Sequence, residues 1–379
     1  MTDYTDHNER NDGLLRPDPS SVFFTDDAPE TSPVAPAAAR PEEPMLPLSA
    51  HRSRMTRLGV AYSVLALLFL LAGTLLSALI NGLDLDPADM WWTDWVLSIV
   101  PLYAVGLPVL LLLLKPVKTS PHNPIGQLRG AAAEKQPITF GRWMLLFVIC
   151  VGCMYIGSLI STGLMNAVSA LTGQDFADRL QSMTKDAPLW LVALSTAVAA
   201  PIGEEFIFRK LLIDRTRQYG DAAAILLSAS FFALFHTNVF QLIYAFLIGA
   251  VLAYVYTRTG KYWLCVSLHA GCNIIGGVWP RFLMEQMGPD TELTVEALEK
   301  LLVEKPLVYL AYLLQSLTIY AAIAAAVTLL IVFRKRLCLS RGTQGLSKSE
   351  TARVIVLNAG CILFALICAA LTVLALVRT

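Results

Sequence analysis

Along the chain, long apolar blocks alternate with short polar and charged segments. Read with a window of about 19 residues and a need for about 20 apolar residues per span, the blocks run Leu58 to Ile80, Trp95 to Leu114, Trp143 to Leu171, Pro188 to Phe208, Ala222 to Phe235, Phe240 to Tyr256, Tyr262 to Trp279, Pro306 to Phe333 and Val354 to Val377. They predict an all-α, polytopic membrane protein with eight or nine transmembrane helices. Ala222 to Phe235 is short for a span and is expected to run through His236 into the following turn.

Composition alone does not give this reading. A chain of 379 residues, 55% hydrophobic and 15% charged, also suits a large soluble core, and it is the blockwise distribution that points to a membrane. The net charge of zero says little, because orientation follows where Lys and Arg sit. Arg52, Arg54 and Arg57 precede the first block, whereas the loop after it, "NGLDLDPADMWWTD", holds four Asp, no Lys or Arg, and a Trp pair suited to an interface. The amino terminus is therefore expected in the cytoplasm. The basic segments around Lys115 to Arg142, at Arg215 and Arg217, at Arg258 and Lys261, and at Arg334 to Arg341 then alternate to the same side.

The chain divides into four parts. Residues 1–50 hold ten Asp or Glu against three Arg, are rich in Pro, and contain no apolar block fit for a signal peptide; they read as a disordered cytoplasmic tail. Residues 51–187 carry the first three helices, 188–280 a core with most of the unusual polar residues, and 281–379 a loop and the last helices. All seven cysteines lie in or beside apolar blocks, which argues against a disulfide framework. Cys150 and Cys153 read as small apolar side chains despite their CxxC spacing. No tandem repeat is evident, and nothing points to a nucleic-acid partner.

An ionisable side chain in hydrocarbon costs about 2.5–3.5 kcal/mol even on a lenient scale, so each one needs a partner or a task. Within the nine blocks the only acidic residues are Glu204 and Glu205, and the only intramembrane histidines are His236, directly after the fifth block, and His269; His7, His51 and His122 fall in polar segments. Glu205 and Arg209 are four apart and share a helix face, so they can pair. Glu204 is turned about 100° from Glu205 and points elsewhere. Asn273 lies four after His269 on one face, and His236 four after Phe232.

Heights along the helices are compatible. From a turn at Gly220, Glu204 and His236 each stand about 24 Å up, and from Gly260, His269 and Asn273 stand about 14 and 20 Å up. A count of Glu204 from the polar segment after Leu212 gives only about 12 Å, against about 21 Å for His236 counted from Ala222. The two agree only if the fourth helix kinks at Pro201 or Gly203, or if Arg209 is drawn inward.

Such a set allows hydrolysis. A carboxylate in a low-dielectric cavity is a competent proton acceptor near neutral pH, so Glu204 with His236 can hold and deprotonate a water. His269 and Asn273 then suit the role of donors to the oxygen on which charge develops. No serine or cysteine has the surroundings of a covalent nucleophile. The competing reading makes Glu204, His236 and His269 three ligands of a catalytic zinc, although the HExxH spacing usual on one helix is missing.

The motifs carry a family resemblance. "EEFIFR" resembles EExxxR, "FALFH" resembles FxxxH and "HAGCN" resembles HxxxN, the three signatures of the CPBP (Abi) intramembrane proteases. That family includes the CAAX prenyl endopeptidases and bacterial proteins linked to bacteriocin immunity and peptide processing. The resemblance covers roughly Pro188 to Trp279. It implies a CPBP-type helical core and peptide hydrolysis without a covalent intermediate; no cofactor is expected, with a zinc-dependent form of the same protease as the alternative. By motif position it puts Glu204 and His236 on the water, Glu205 and Arg209 behind the glutamate, and His269 and Asn273 at the oxyanion. The expected substrate is a membrane-associated peptide or protein within the lipid bilayer, and the expected location is a bacterial plasma membrane. The alternative is a non-enzymatic membrane module, for immunity or ligand binding, in which the polar cluster recognises a ligand.

Overall fold

The computed structural model describes residues 46–83, 92–119, 138–174, 176, 187–288, 294–337, 339 and 341–377. The tail expected over 1–50 lies outside the described residues, save that the first helix already starts at Leu48. Much of the acidic loop after the first span lies outside them too.

The protein is an all-α polytopic membrane protein; among the described residues there is no strand, only an isolated bridge. In hydrocarbon every backbone polar group must be met within the protein, which leaves the helix as the form open to apolar blocks like these. In chain order the helices are α1 (Leu48–Asn81), α2 (Thr93–Leu114), α3 (Phe140–Thr172), α4 (Leu189–Tyr219), α5 (Asp221–Phe235) and α6 (Val239–Thr259). They are followed by α7 (262–287), α8 (Val295–Glu304), α9 (Pro306–Phe333), α10 (Lys348–Ile355) and α11 (Ala359–Val377). Seven of these, α1 to α4, α6, α9 and α11, are long and apolar enough to cross a membrane. The other two predicted spans are also helices. However, α5 has 15 residues, about 22 Å, against a hydrocarbon thickness of about 30 Å, and α7 is diluted by His269, Asn273 and a glycine pair.

Small residues let the helices approach closely, as expected where lipid gives no hydrophobic drive between helices. A Cβ on Gly59 of α1 would stand 2.2 Å from the backbone of Gly360 in α11, and one on Gly152 of α3 would stand 2.3 Å from the Ala326 Cβ of α9. The outward faces of α1 and α9 carry exposed Leu71, Leu75, Leu79, Leu314 and Leu317, which suit lipid.

The final block departs from the predicted continuous helix. Its backbone breaks at Asn358, whose Oδ1 accepts from Gly360 N at 2.9 Å while its Nδ2 donates to the Arg52 carbonyl at 3.0 Å. Asn358 thereby caps α11 and ties it to α1, so Val354 belongs to the short α10. His51 also differs from the expectation of a polar flank. It is buried in α1, with Nδ1 3.2 Å from the Tyr219 hydroxyl at the end of α4. The six described cysteines are free and buried, in line with the apolar reading of Cys150 and Cys153.

Candidate active site

Helix α4 is built unevenly, and that positions both glutamates. It opens into wide π turns over Ala193–Ala199 and Phe206–Leu211, leaving a short α stretch, Ala200–Glu205, between them. Similar wide turns occur in α2 over Val100–Gly106 and in α7 over Ile274–Val278. Proline accounts for part of this: Pro101 lies inside the α2 turn, and Pro201 and Pro280 lie two residues past the ends of two others. Proline lacks an N–H and crowds the carbonyl four residues back, so the helix widens to relieve it.

Hydroxyls from three other helices brace this stretch of α4, two on carbonyls of the wide Phe206–Leu211 turn and one on the α stretch before it. The Tyr62 hydroxyl of α1 donates to Ile207 O at 2.6 Å, Ser228 of α5 donates to Phe208 O at 2.8 Å, and Tyr262 of α7 donates to Ile202 O. Gly203 admits the Tyr103 ring of α2, which a Cβ there would strike at 2.0 Å.

The heights resolve as the count from Gly220 predicts. Helix α4 stays helical to Tyr219 and turns at Gly220, whose φ of 107° suits glycine. The polar segment after Leu212 is thus the last turns of the helix rather than its boundary, and Arg209 is drawn fully inside.

Glu205 and Arg209 form the floor. Arg209 Nε stands 3.0 Å from Glu205 Oε2, with both side chains wholly buried. The pair is ionic by distance without the alignment of a hydrogen bond, and neither Nη atom meets an acceptor. The guanidinium lies 4.4 Å from the centroid of the Phe232 ring, an attraction of about 2 kcal/mol where water is excluded. Glu205 Oε1 is 2.9 Å from His269 Nδ1. An ionised carboxylate only accepts, so Nδ1 carries the proton. The sequence reading paired Glu205 with Arg209 and missed this second partner, 64 positions away.

His269 Nε2 is turned to the other glutamate, 3.8 Å from Glu204 Oε2. His236 caps the end of α5, with its Nδ1 2.7 Å from the Phe232 carbonyl. A carbonyl only accepts, so this nitrogen too carries the proton, and Nε2 of the neutral ring keeps its lone pair. The next residue, Thr237, has φ of 47°, the single positive value outside glycine among the described residues. Such strain gathers at functional sites. Asn273 Nδ2 donates to Thr196 O at 2.7 Å, which fixes the amide and leaves its second N–H.

Glu204, His236, His269 and Asn273 all line one cavity of about 590 Å³. Glu205 and Arg209 lie behind its wall. Among the described residues no three His, Cys, Asp or Glu side chains gather closely enough to hold a metal ion, so Glu204, His236 and His269 do not make a ready zinc cage.

Residues 186–275 match the family model described as type II CAAX prenyl endopeptidase Rce1-like. The segment is Rce1-like. This agrees with the CPBP resemblance of its three motifs and supports a membrane-embedded peptide hydrolase at family level. No curated protein and no solved structure matches the chain.

Several residues that shape the site lie outside the Rce1-like segment, and no motif marks them. Tyr155 of α3 lines the cavity and donates to Ile275 O at 3.1 Å, in the wide turn just after Asn273. Gln315 of α9 donates to the Tyr155 hydroxyl at 2.8 Å. Phe232, inside the segment, organises more than the motif spacing reveals: it holds His236 through its carbonyl, Arg209 on its ring face, and His269 edge-on at 5.7 Å.

Proposed function

We propose that this protein is an intramembrane endopeptidase that hydrolyses a peptide bond of a membrane-associated substrate with a water activated by Glu204 and His236. The observation that carries the reading is the division of labour around one cavity. Two groups can accept protons from a water, and two others can face a developing oxyanion.

A water between Glu204 and His236 donates one hydrogen to the carboxylate and one to the His236 Nε2 lone pair. Its oxygen lone pair is then free for the scissile carbonyl carbon. Glu204 takes a proton as the C–O bond forms, and the carbonyl π pair moves onto oxygen. Asn273 offers its second amide N–H to that oxygen. His269 offers Nε2–H in its imidazolium form, in which Nδ1 still donates to Glu205. When the C–N bond breaks, the proton held by Glu204 passes to the leaving amine, and the remaining water proton passes from the new carboxylic acid to His236 Nε2, so the products are a carboxylate and an amine with the second proton left on His236. Preplaced donors of this kind are worth about 2.7–4 kcal/mol each in related hydrolytic chemistry. A binding module has no need of that separation between water activator and oxyanion donors.

The test is cleavage of trial membrane-anchored peptides by purified protein, with Glu204→Gln and His236→Ala beside the parent. Each variant is expected to lose about 10²–10⁴-fold in rate, the usual contribution of a positioned acid or base, and undiminished cleavage in either would sink the mechanism. Repeating the parent assay after stringent chelation separates this reading from a zinc enzyme, which would stop.

A further inference from the structure

We infer that the cavity takes its substrate from the extracytoplasmic side, admitting a segment presented in the outer half of the bilayer; this deepens the endopeptidase reading and rests on it. The two ends of the helix bundle differ in charge and in distance from the cavity. At one end Arg54, Lys115, Arg142, Arg217, Arg258 and Arg334 mark the ends of α1, α2, α3, α4, α6 and α9. At the other, the described residues add Arg281, Lys300 and Lys305 among Asp94, Glu285, Glu296, Glu299 and Glu304. Lys and Arg concentrate on cytoplasmic ends, so the first end faces the cytoplasm.

That end is stitched shut. Arg54 reaches the Lys118 carbonyl, Arg215 Nε donates to Val117 O at 2.8 Å, and Arg217 pairs with Asp221 at 2.9 Å. The segment before α10 lies across the Gly220 turn, with a bridge from Gly220 to Arg341 and Thr343 N donating to Gln218 O at 2.9 Å. Behind this seam the buried rings of Tyr62, Phe208, Phe231 and Phe364 pack on one another, at centroid separations from 4.1 to 6.3 Å. By helix rise Phe208 and Phe231 stand about 15–17 Å from the Gly220 turn, level with Arg209.

The cavity extends the other way. Glu204 and His236 each stand 15 positions from the Gly220 hairpin helix ends, Tyr219 and Asp221, about 22 Å, and both line it. Its walls continue along Ser98 of α2, Val192 of α4, Met284 of α7 and Leu376 of α11. By helix rise these stand about 24 to 40 Å from the basic end, and no lining residue comes nearer to it than about 10 Å. Because α5 is too short to span, the Thr237–Asn238 turn that lines the cavity sits within the membrane. Irregular backbone there is tolerated where it faces a watery cavity. A substrate therefore meets the glutamate after passing the far ends of α2, α4, α7 and α11.

The test reads access without turnover. Ser98→Cys and Met284→Cys in the cavity wall, and Lys115→Cys at the basic end, are each expressed in intact cells and treated with a membrane-impermeant maleimide, before and after permeabilisation. The parent, whose described cysteines are buried, gives the background. The two cavity variants are expected to label in intact cells, and Lys115→Cys only once the membrane is breached. Labelling of Lys115→Cys in intact cells, or of the cavity variants only after permeabilisation, overturns the inference. A Glu204→Gln background is expected to leave the pattern unchanged. Failure of the hydrolytic mechanism and failure of the access route are thus read separately.

Discussion

Two buried arginine–carboxylate pairs of the same numerical spacing sit in one helical hairpin, one midway along its first helix and one at its turn. Glu205 and Arg209 lie one turn apart on α4 at the cavity floor, and Arg217 and Asp221 bracket the Gly220 turn at the basic end. Their separations, 3.0 and 2.9 Å, hardly differ. What differs is the surroundings. Arg217 Nε is aligned to donate to Asp221, and Asp221 opens α5, where the helix dipole favours a negative charge. Arg209 is misaligned and rests on an aromatic face, and its glutamate spends the second oxygen on His269. The first arrangement is what a pair looks like when it closes a turn. The second gives up hydrogen-bond geometry to hold an imidazole, and that concession marks a pair bound to a task.

Single substitutions break the comparison most sharply. Arg209→Met leaves Glu205 as an uncompensated buried charge, and is expected to cost about 3–5 kcal/mol of stability and to remove turnover from the molecules that still fold. Thermal unfolding in detergent and peptide cleavage read the two effects. Arg217→Met is expected to cost a similar 3–5 kcal/mol while turnover per folded molecule is kept, and adding Asp221→Leu should restore most of the loss, since an apolar pair of similar volume is often neutral. Glu205→Gln sharpens the contrast: the amide oxygen still accepts from His269 Nδ1, but the charge is gone. Turnover is expected to fall by about 1.5–3 kcal/mol of transition-state stabilisation, the range for a hydrogen bond to a charged group, with a smaller change in KM. The smallest effect is expected from Thr237→Gly, which relieves a positive φ worth on the order of 1 kcal/mol. The thermal midpoint should rise slightly, and cleavage should fall if the strain helps aim His236.

Much of this was legible in the sequence because the membrane makes polar residues conspicuous. Two glutamates and two histidines in or directly beside nine apolar blocks nominate themselves, and helical spacing correctly paired Glu205 with Arg209. Spacing fails where the partner is on another helix. Nothing periodic links Glu205 to His269, Asn273 to Thr196, or Tyr155 to Gln315, because those contacts depend on how helices are stacked. His51 was misread for the same reason: its charged neighbours suggest a flank, and only the fold brings Tyr219 to it. The break at Asn358 was missed because hydropathy averages over a single cap residue.

The hydroxyl of Tyr62 on the Ile207 carbonyl bears on where the smallest working unit ends. Ile207 lies within the Rce1-like match, and Tyr62 lies far outside it. A fragment cut to 186–275 would carry that carbonyl into lipid without its donor, and would lose the Tyr103 ring that fills the notch at Gly203. The motifs fall within one segment of 90 residues, yet the scaffold that shapes them is borrowed from the amino-terminal helices, so inheritance of the chemistry requires inheritance of those helices as well.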